Sequence, residues 1–217
     1  MSEKDVFEFP GEKISVRWDG RLCIHVAECG QAQGELFVGG RKPWCLPDRV
    51  DPAEVVAVVE RCPSGALCYQ AHEEGVEERP VTENTVSVTC NGPYFLAGEL
   101  DIEGAAEDMP GVRYRAALCR CGKSGNKPFC DNSHEAAGFQ DYGAVGETGE
   151  DPGEVGGKLE IKLIPDGPLI LSGNLTILAG SGRKAWQGNH VALCRCGASN
   201  HKPFCDGSHT AAGFNSN

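Results

Sequence analysis

The feature that most constrains this 217-residue chain is an internal repeat of a cysteine-rich segment. Residues Cys119–Phe139 recur 75 positions later as Cys194–Phe214, and sixteen of the twenty-one positions are identical. The similarity extends upstream, where Gly92 corresponds to Gly167. A repeat of this length indicates two copies of one structural module, each with the same kind of site.

Each copy carries the pattern Cys-x-Cys, eight residues, Cys, three residues, His. The predicted ligands are Cys119, Cys121, Cys130 and His134 in the first copy, and Cys194, Cys196, Cys205 and His209 in the second. Four thiolate and imidazole donors this close in sequence can converge on one metal centre. The sequence therefore predicts two metal sites. A structural zinc site uses the same donor types, so zinc is the alternative.

The chain contains twelve cysteines, which could be disulfide partners, metal ligands or nucleophiles. The redox state of the cellular compartment helps to decide between these roles. The segment from Met1 to Pro10 has neither the basic nor the apolar stretch of a signal peptide. No segment approaches the roughly 20 apolar residues that span a bilayer. We therefore expect a cytoplasmic protein, away from membranes, whose thiols are reduced and ligate metal. The net charge of −11 argues against a nucleic-acid surface.

Basic residues flank the predicted ligands in this otherwise acidic chain. They are Arg120, Lys123 and Lys127 in the first copy, and Arg195 and Lys202 in the second. Three thiolates on an oxidised [2Fe-2S] core give a net monoanion, which positive charge would stabilise. This pattern favours an iron-sulfur cluster over a bare cation.

Both segments resemble the CDGSH iron-sulfur family, the group that includes mitoNEET. Its pattern is C-x-C-x2-[ST]-x3-P-x-C-D-G-[STA]-H, and it is matched at Ser124, Pro128, Asp131, Ser199, Pro203 and Asp206. The first copy departs from it at Asn132, where the motif has glycine. Asparagine tolerates a left-handed backbone, so we expect the site to persist. The resemblance implies a [2Fe-2S] cluster in each copy, with two cysteines on one iron and a cysteine and the histidine on the other.

The histidine ligand has two chemical consequences. A neutral imidazole in place of a thiolate raises the reduction potential of a cluster, as in Rieske centres. Imidazole also titrates near physiological pH, so protons compete with iron for His134 and His209. We therefore expect both clusters to be acid-labile.

The first eighty residues lie outside the repeat and contain a second group of cysteines. Cys23-Ile-His-Val-Ala-Glu-Cys29 followed by Cys62-Pro resembles the divergent single-cluster ferredoxins over roughly residues 12 to 70. Three thiolates suit a [3Fe-4S] cluster directly, and a [4Fe-4S] cluster with one more ligand. Cys45 and His25 are the candidates for that fourth position. We expect Cys68 and Cys90 to be buried free thiols.

The sequence predicts an α+β protein with three parts. Residues 1–80 form a small ferredoxin-like domain, 81–142 the first CDGSH module and 155–217 the second, with a linker over 143–154. The resemblance implies that the two β-rich modules pack as a pseudo-dimer within one chain.

Local patterns predict individual elements of these domains. Alternation predicts a strand over Lys13–Trp18, and Asp51-Pro-Ala-Glu54 predicts the start of a helix. Apolar runs broken by glycine predict short antiparallel strands in the modules, such as Thr85–Val88. Asp131 and Asp206 are predicted to N-cap short helices that end at Gly138 and Gly213.

We expect a monomeric carrier of electrons or of clusters between soluble redox or cluster-acceptor proteins. The chain offers no substrate pocket motif, nucleotide-binding loop or acid/base pair, so we do not expect an enzyme. A zinc-stabilised interaction module and a redox component of a larger oxidoreductase are the alternatives.

Overall fold

The computed structural model describes residues 6–73 and 77–216. The predicted ends of the chain's first and last domains, at residues 1 and 217, lie outside the described residues. Within them the chain is mostly β, with ten strands and three short α-helices. The strands are Val6–Phe9 (β1), Ile14–Asp19 (β2), Leu67–Ala71 (β3), Thr85–Val88 (β4), Tyr94–Ala97 (β5), Glu99–Ile102 (β6), Arg115–Leu118 (β7), Lys158–Leu163 (β8), Leu169–Leu178 (β9) and Lys184–Leu193 (β10). The helices are Pro52–Val59 (α1), Ser133–Ala136 (α2) and Ser208–Ala211 (α3).

The N-terminal part is a three-stranded antiparallel sheet, β1-β2-β3, covered by α1. The predicted strand at Lys13–Trp18 is confirmed as β2. The predicted helix start is also confirmed, because Pro52 opens α1 and Asp51 precedes it in an extended conformation. The valine-rich run of α1 has β propensity, but the helix lets Val55 and Val59 point together into the core. Full burial of one such side chain contributes about 2 kcal/mol.

The rest of the chain forms one seven-stranded sheet that draws strands from both modules. Its order is β6-β8-β9-β4-β5-β7, and β10 also pairs with β9. Strand β4 of the first module pairs in parallel with β9 of the second, and β6 pairs in parallel with β8. The prediction of antiparallel strands is therefore wrong for these two pairs. No tight turn joins strands of different modules, so nothing forces them to run in opposite directions.

Strand β9 is one ten-residue strand where the sequence pattern suggests two short ones. Gly173 interrupts the apolar pattern, but it lies inside the strand with a φ of +129°. A Cβ atom at this position would lie 2.4 Å from the carbonyl oxygen of Lys158. Glycine is therefore required there by the close approach of β8 rather than by a turn.

The two modules share one hydrophobic core. It contains Val86 and Leu96 of the first module together with Leu171 and Ile177 of the second. Val145, inside the predicted linker, is also buried in this core. A separate core lies beneath the N-terminal sheet, around Val55 and Val59.

Candidate metal centres

Local backbone hydrogen bonds bring the four predicted ligands of the first module together. Cys119 follows β7 directly, and its amide donates to Pro128 O at 2.8 Å. The amide of Cys130 donates in turn to Ala117 O at 2.9 Å, which places Cys130 beside the end of β7. Helix α2 then carries His134 back toward Cys130.

The donors are arranged in pairs. The sulfur atoms of Cys119 and Cys121 are 3.8 Å apart, and Cys130 Sγ lies 3.5 Å from His134 Nδ1. Two ligands about 2.3 Å from one tetrahedral metal are separated by a distance of this size. Each pair thus has the spacing of two ligands on one metal ion.

The second module repeats this arrangement. Cys194 Sγ lies 3.5 Å from Cys196 Sγ, and Cys205 Sγ lies 3.5 Å from His209 Nδ1. The same backbone hydrogen bonds recur, because the amide of Cys194 donates to Pro203 O and that of Cys205 to Ala192 O. The sequence repeat is therefore also a geometric repeat.

The short helices begin one residue later than predicted. The N-cap positions are held by Asn132 and Gly207, which have left-handed φ angles of 70° and 85°. The predicted N-cap residues, Asp131 and Asp206, lie one position earlier. The carboxylate of Asp131 instead accepts hydrogen bonds from the amides of Ser133 and Gly125, at 3.0 and 2.8 Å. It therefore ties the helix start to the preceding loop. The left-handed backbone expected at Asn132 is confirmed, and so are the helix ends at Gly138 and Gly213.

The arginines next to the predicted ligands have a structural role that the sequence analysis missed. The guanidinium of Arg120 is buried, pairs with Asp141 and donates to Gly92 O at 2.8 Å. Arg195 likewise donates to Gly167 O and Ile164 O. These side chains fasten the cysteine loops to the sheet. The predicted role of Arg120 as free positive charge beside a cluster is wrong, since Asp141 balances it.

Burial sets the acidity of the thiols. It raises the pKa of Cys130 to about 11 and also raises the pKa of Cys196. In the pair at the end of β7, a hydrogen bond from the thiol of Cys121 lowers the pKa of Cys119 and raises that of Cys121. The thiols of Cys121, Cys130 and Cys196 therefore hold their protons at neutral pH until a metal displaces them.

The three N-terminal cysteines predicted as ligands line one cavity of about 410 Å³. Cys23, Cys29 and Cys62 share its wall with Trp18 and Trp44. Burial raises the pKa of Cys29, and the neighbouring Cys62 and Cys23 add to the effect. A half-open, largely apolar space with three thiols fits a cluster of several irons.

The two candidates for a fourth N-terminal ligand lie in different places. His25 lines the cavity, and its Nδ1 is 3.9 Å from Cys23 Sγ. Cys45 is completely buried in the core beneath the N-terminal sheet, and among the described residues it is not part of the cavity wall. Burial raises its pKa to about 12.

The remaining cysteines lie apart from these sites. Cys68 is a half-buried residue of β3, and burial raises its pKa to about 11. Cys90 is exposed. Both are free thiols, but the predicted burial is wrong for Cys90, and Cys68 is only partly buried.

Two residues that the sequence analysis passed over connect the sites. The buried hydroxyl of Tyr94 donates to the carbonyl oxygen of Cys194 at 2.8 Å, across the two modules. The guanidinium of Arg115 donates to the carbonyl oxygen of Cys62 at 2.6 Å. Tyr94 aligns with Leu169 of the second module. This difference between two otherwise similar repeats is the sequence feature that could have pointed to a special role for Tyr94.

Across residues 6–73 and 77–216, no three His, Cys, Asp or Glu side chains converge as they would around a single metal ion. Within the same residues, no helix has the length and apolar character needed to cross a membrane.

Comparison with known proteins assigns the chain to the class of iron-sulfur proteins. Residues 91–135 and 166–210 match the family described as "Iron-binding zinc finger CDGSH type". Residues 9–72 match the family described as "Divergent 4Fe-4S mono-cluster". The chain therefore carries a divergent 4Fe-4S domain followed by two domains of the CDGSH iron-sulfur family.

Two curated relatives match the N-terminal domain. They are the uncharacterized proteins YjdI of Escherichia coli K12 and of E. coli O157:H7. Each is 48% identical to this chain over 62 residues, which cover 29% of this chain and 82% of the relative. No solved structure matches the chain.

Proposed function

We propose that this protein is a three-centre electron carrier, with a [2Fe-2S] cluster in each CDGSH module and a third cluster in the N-terminal domain. The observation that carries the proposal is the pairing of the donors. Each module presents a Cys–Cys pair at 3.5–3.8 Å and a Cys–His pair at 3.5 Å. Two donor pairs suit two iron atoms, each with two protein ligands.

We further propose that the N-terminal cluster is [4Fe-4S], held by Cys23, Cys29, Cys62 and His25. The cavity supports this assignment, because it brings the three thiols and the imidazole to one wall. With the three thiols alone, the same cavity would hold [3Fe-4S]. Cys45, buried in the core, contributes packing.

When bound, such clusters supply one-electron chemistry. The residues of this chain would hold them: Arg120 and Arg195 fix the cysteine loops to the sheet, and Trp18 and Trp44 supply apolar lining to the N-terminal cavity. We propose that the two modules act as a pseudo-dimer in a monomeric, cytoplasmic, non-enzymatic carrier. Its partners would be soluble redox or cluster-acceptor proteins.

Cluster transfer is a second candidate, and one observation favours it. The three predicted cysteine ligands of the first module are buried, whereas Cys196 and Cys205 of the second are half-buried. An acceptor protein has easier access to the second module. Cluster donation would therefore begin there.

Metal analysis and spectroscopy of the purified full-length protein test the proposal. We expect about eight irons and eight sulfides per chain, two irons for each module and four for the N-terminal centre. We also expect a coloured protein whose EPR signals appear on reduction, because oxidised [2Fe-2S] and [4Fe-4S] centres are EPR-silent. A paramagnetic oxidised protein would indicate [3Fe-4S] instead. A colourless zinc protein would overturn the proposal.

A further inference from the structure

The two modules differ at the positions that touch the N-terminal domain. Asn126 and Asn132 of the first module stand where the second has His201 and Gly207, and Arg115 stands where it has His190. All three first-module side chains donate to backbone carbonyl groups of the N-terminal domain. The bonds are Asn126 Nδ2 to Arg21 O at 2.7 Å, Asn132 Nδ2 to Ile24 O at 2.7 Å, and Arg115 Nη1 to Cys62 O at 2.6 Å.

The equivalent residues of the second module have other surroundings. His201 is exposed and pairs with Glu147 at 2.8 Å, outside the N-terminal domain. Gly207 is also exposed, and within the described residues nothing lies within 4 Å of the place where its Cβ would be. Only the first module is therefore adapted to the N-terminal domain.

The contact at Asn132 joins two predicted ligand loops. Ile24 lies between Cys23 and His25 in sequence, and its buried side chain packs with Cys130 and Ala117. The backbone amide of Asn132 lies 3.4 Å from Cys130 Sγ, while its side chain holds Ile24 O. The path from Cys23 to Cys130 therefore runs through covalent bonds and two hydrogen bonds. One joins Ile24 O to the side chain of Asn132, and the other joins the amide of Asn132 to Cys130 Sγ.

A second contact joins the two modules at their predicted ligands. Cys121 and Cys196 pair their backbones in an isolated β-bridge. Tyr94 adds its hydrogen bond to the carbonyl oxygen of Cys194. The first module thus contacts the predicted ligand loop of the N-terminal domain and also that of the second module.

We infer that the three centres form a series in which the first CDGSH module is the middle member and Asn132 is the residue that positions it against the N-terminal centre. This inference rests on the proposed function. In the series, one electron leaves the N-terminal centre, which is oxidised, and enters the first module's centre, which is reduced; no bond or proton is involved.

The exposure of the cysteines agrees with this order. Those of the first module are enclosed, as expected for an internal member, and Cys196 and Cys205 are accessible at the end of the series. The exit to a soluble acceptor would therefore be the second module.

Magnetic coupling in the reduced, full-length protein tests the order. Cys130→Ala removes the first module's centre and Cys205→Ala removes the second, with iron and sulfide content to verify each loss. We expect the N-terminal centre to show enhanced electron-spin relaxation in wild type and in Cys205→Ala. We expect this enhancement to be lost in Cys130→Ala. Equal coupling in both variants would overturn the series.

Asn132→Gly tests the positioning role with every ligand retained, and it remains informative if Cys130→Ala does not fold. Glycine occupies the same place in the second module, so the backbone is compatible. Loss of one hydrogen bond of about 1 kcal/mol should make local opening at residues 23–26 about fivefold more frequent, as measured by amide hydrogen exchange. Electron arrival at the CDGSH centres after rapid reduction of the N-terminal centre should slow.

Gly207→Asn is the matched control, because it places the same side chain at the equivalent, open position. We expect it to leave both measurements unchanged. Ile24→Ala, which leaves both motifs intact, should act in the same direction as Asn132→Gly. If Asn132→Gly and Ile24→Ala hold their clusters and behave like wild type, the inference is wrong while the proposed function stands. If wild type holds no iron-sulfur cluster, the proposed function itself fails.

Discussion

Gly122 approaches Cys196 so closely that a Cβ atom on Gly122 would lie 2.6 Å from the carbonyl oxygen of Cys196. The backbone of Gly122 is also left-handed, with a φ of 77°. The reciprocal contact exists, because a Cβ atom on Gly197 would lie 2.7 Å from the carbonyl oxygen of Cys121. The two modules therefore meet directly beside predicted ligands.

Gly122→Ala should destabilise this contact. We expect the free energy of unfolding to fall by about 3 kcal/mol, from left-handed strain of roughly 1–2 kcal/mol plus a clash of similar size. Gly182→Ala is the control, because Gly182 has a φ of 80° but, among the described residues, nothing within 4 Å of its Cβ position. Denaturant unfolding of Gly182→Ala should therefore show a smaller loss in the free energy of unfolding, equal to the left-handed strain alone. Equal losses in both variants would mean that the contact with Cys196 contributes nothing.

His209→Cys should slow loss of the second module's cluster at mildly acidic pH. A proton competes with iron for imidazole near its pKa, and a thiolate bound to iron resists protonation better. The decay of visible absorbance at pH 5 to 6 measures the effect. His201→Ala, at an exposed histidine eight residues upstream, should decay like wild type. Unchanged decay of His209→Cys would refute the role of the histidine.

Cys45→Ala and His25→Ala should separate the two candidates for the fourth N-terminal ligand. Cys45→Ala should keep the iron content of wild type and lower stability by about 1 kcal/mol, since it removes only a small buried group. His25→Ala should instead lose iron and show the EPR signal of an oxidised [3Fe-4S] centre. Iron loss in Cys45→Ala alone would reverse this assignment.

Glu83 links the modules, and its contribution should depend on pH. Its carboxylate accepts hydrogen bonds from Lys184 at 2.7 Å and Thr176 at 2.6 Å, and these bonds, that from Lys184 first, lower the pKa of Glu83. The stabilisation is thus fully present above the unfolded pKa of about 4.5 and is lost as pH falls through the lower folded value.

Glu83→Gln should therefore cost about 0.5 kcal/mol at pH 7, a value kept small because the pair is partly solvated. The two proteins should converge in stability as pH falls below the folded pKa of Glu83, which is itself lower than the unfolded value of about 4.5. Chemical denaturation across this range compares them directly, and cluster loss in acid affects both equally. A difference that is constant with pH would contradict the electrostatic origin of the effect.

The sequence predicted the features that depend on local chemistry. Pro52 starts α1 because its fixed φ suits the first turn of a helix, which is a local property of the chain. Asn132 keeps the left-handed backbone of glycine because that conformation is a local property. The family was confirmed for the same reason, since the motif residues lie close together in sequence.

The features that depend on distant partners could not be predicted in this way. The parallel pairing of β4 with β9 is decided by packing between modules, and no pattern within either strand encodes it. The same limit applies to Arg120, whose neighbours in sequence are cysteines but whose charge is balanced by Asp141. Nothing in the sequence near Cys45 distinguishes a buried thiol from a ligand.

The exchange of strands between the modules has a consequence for assembly. Strands β4 and β6 complete the sheet only when β9 and β8 are present, so a half-length chain would expose unpaired edges and seek a second copy. The covalent connection between β7 and β8 removes that requirement, because it holds the two halves at an effective concentration on the order of millimolar. Formation of the complete sheet should therefore be independent of how dilute the protein is.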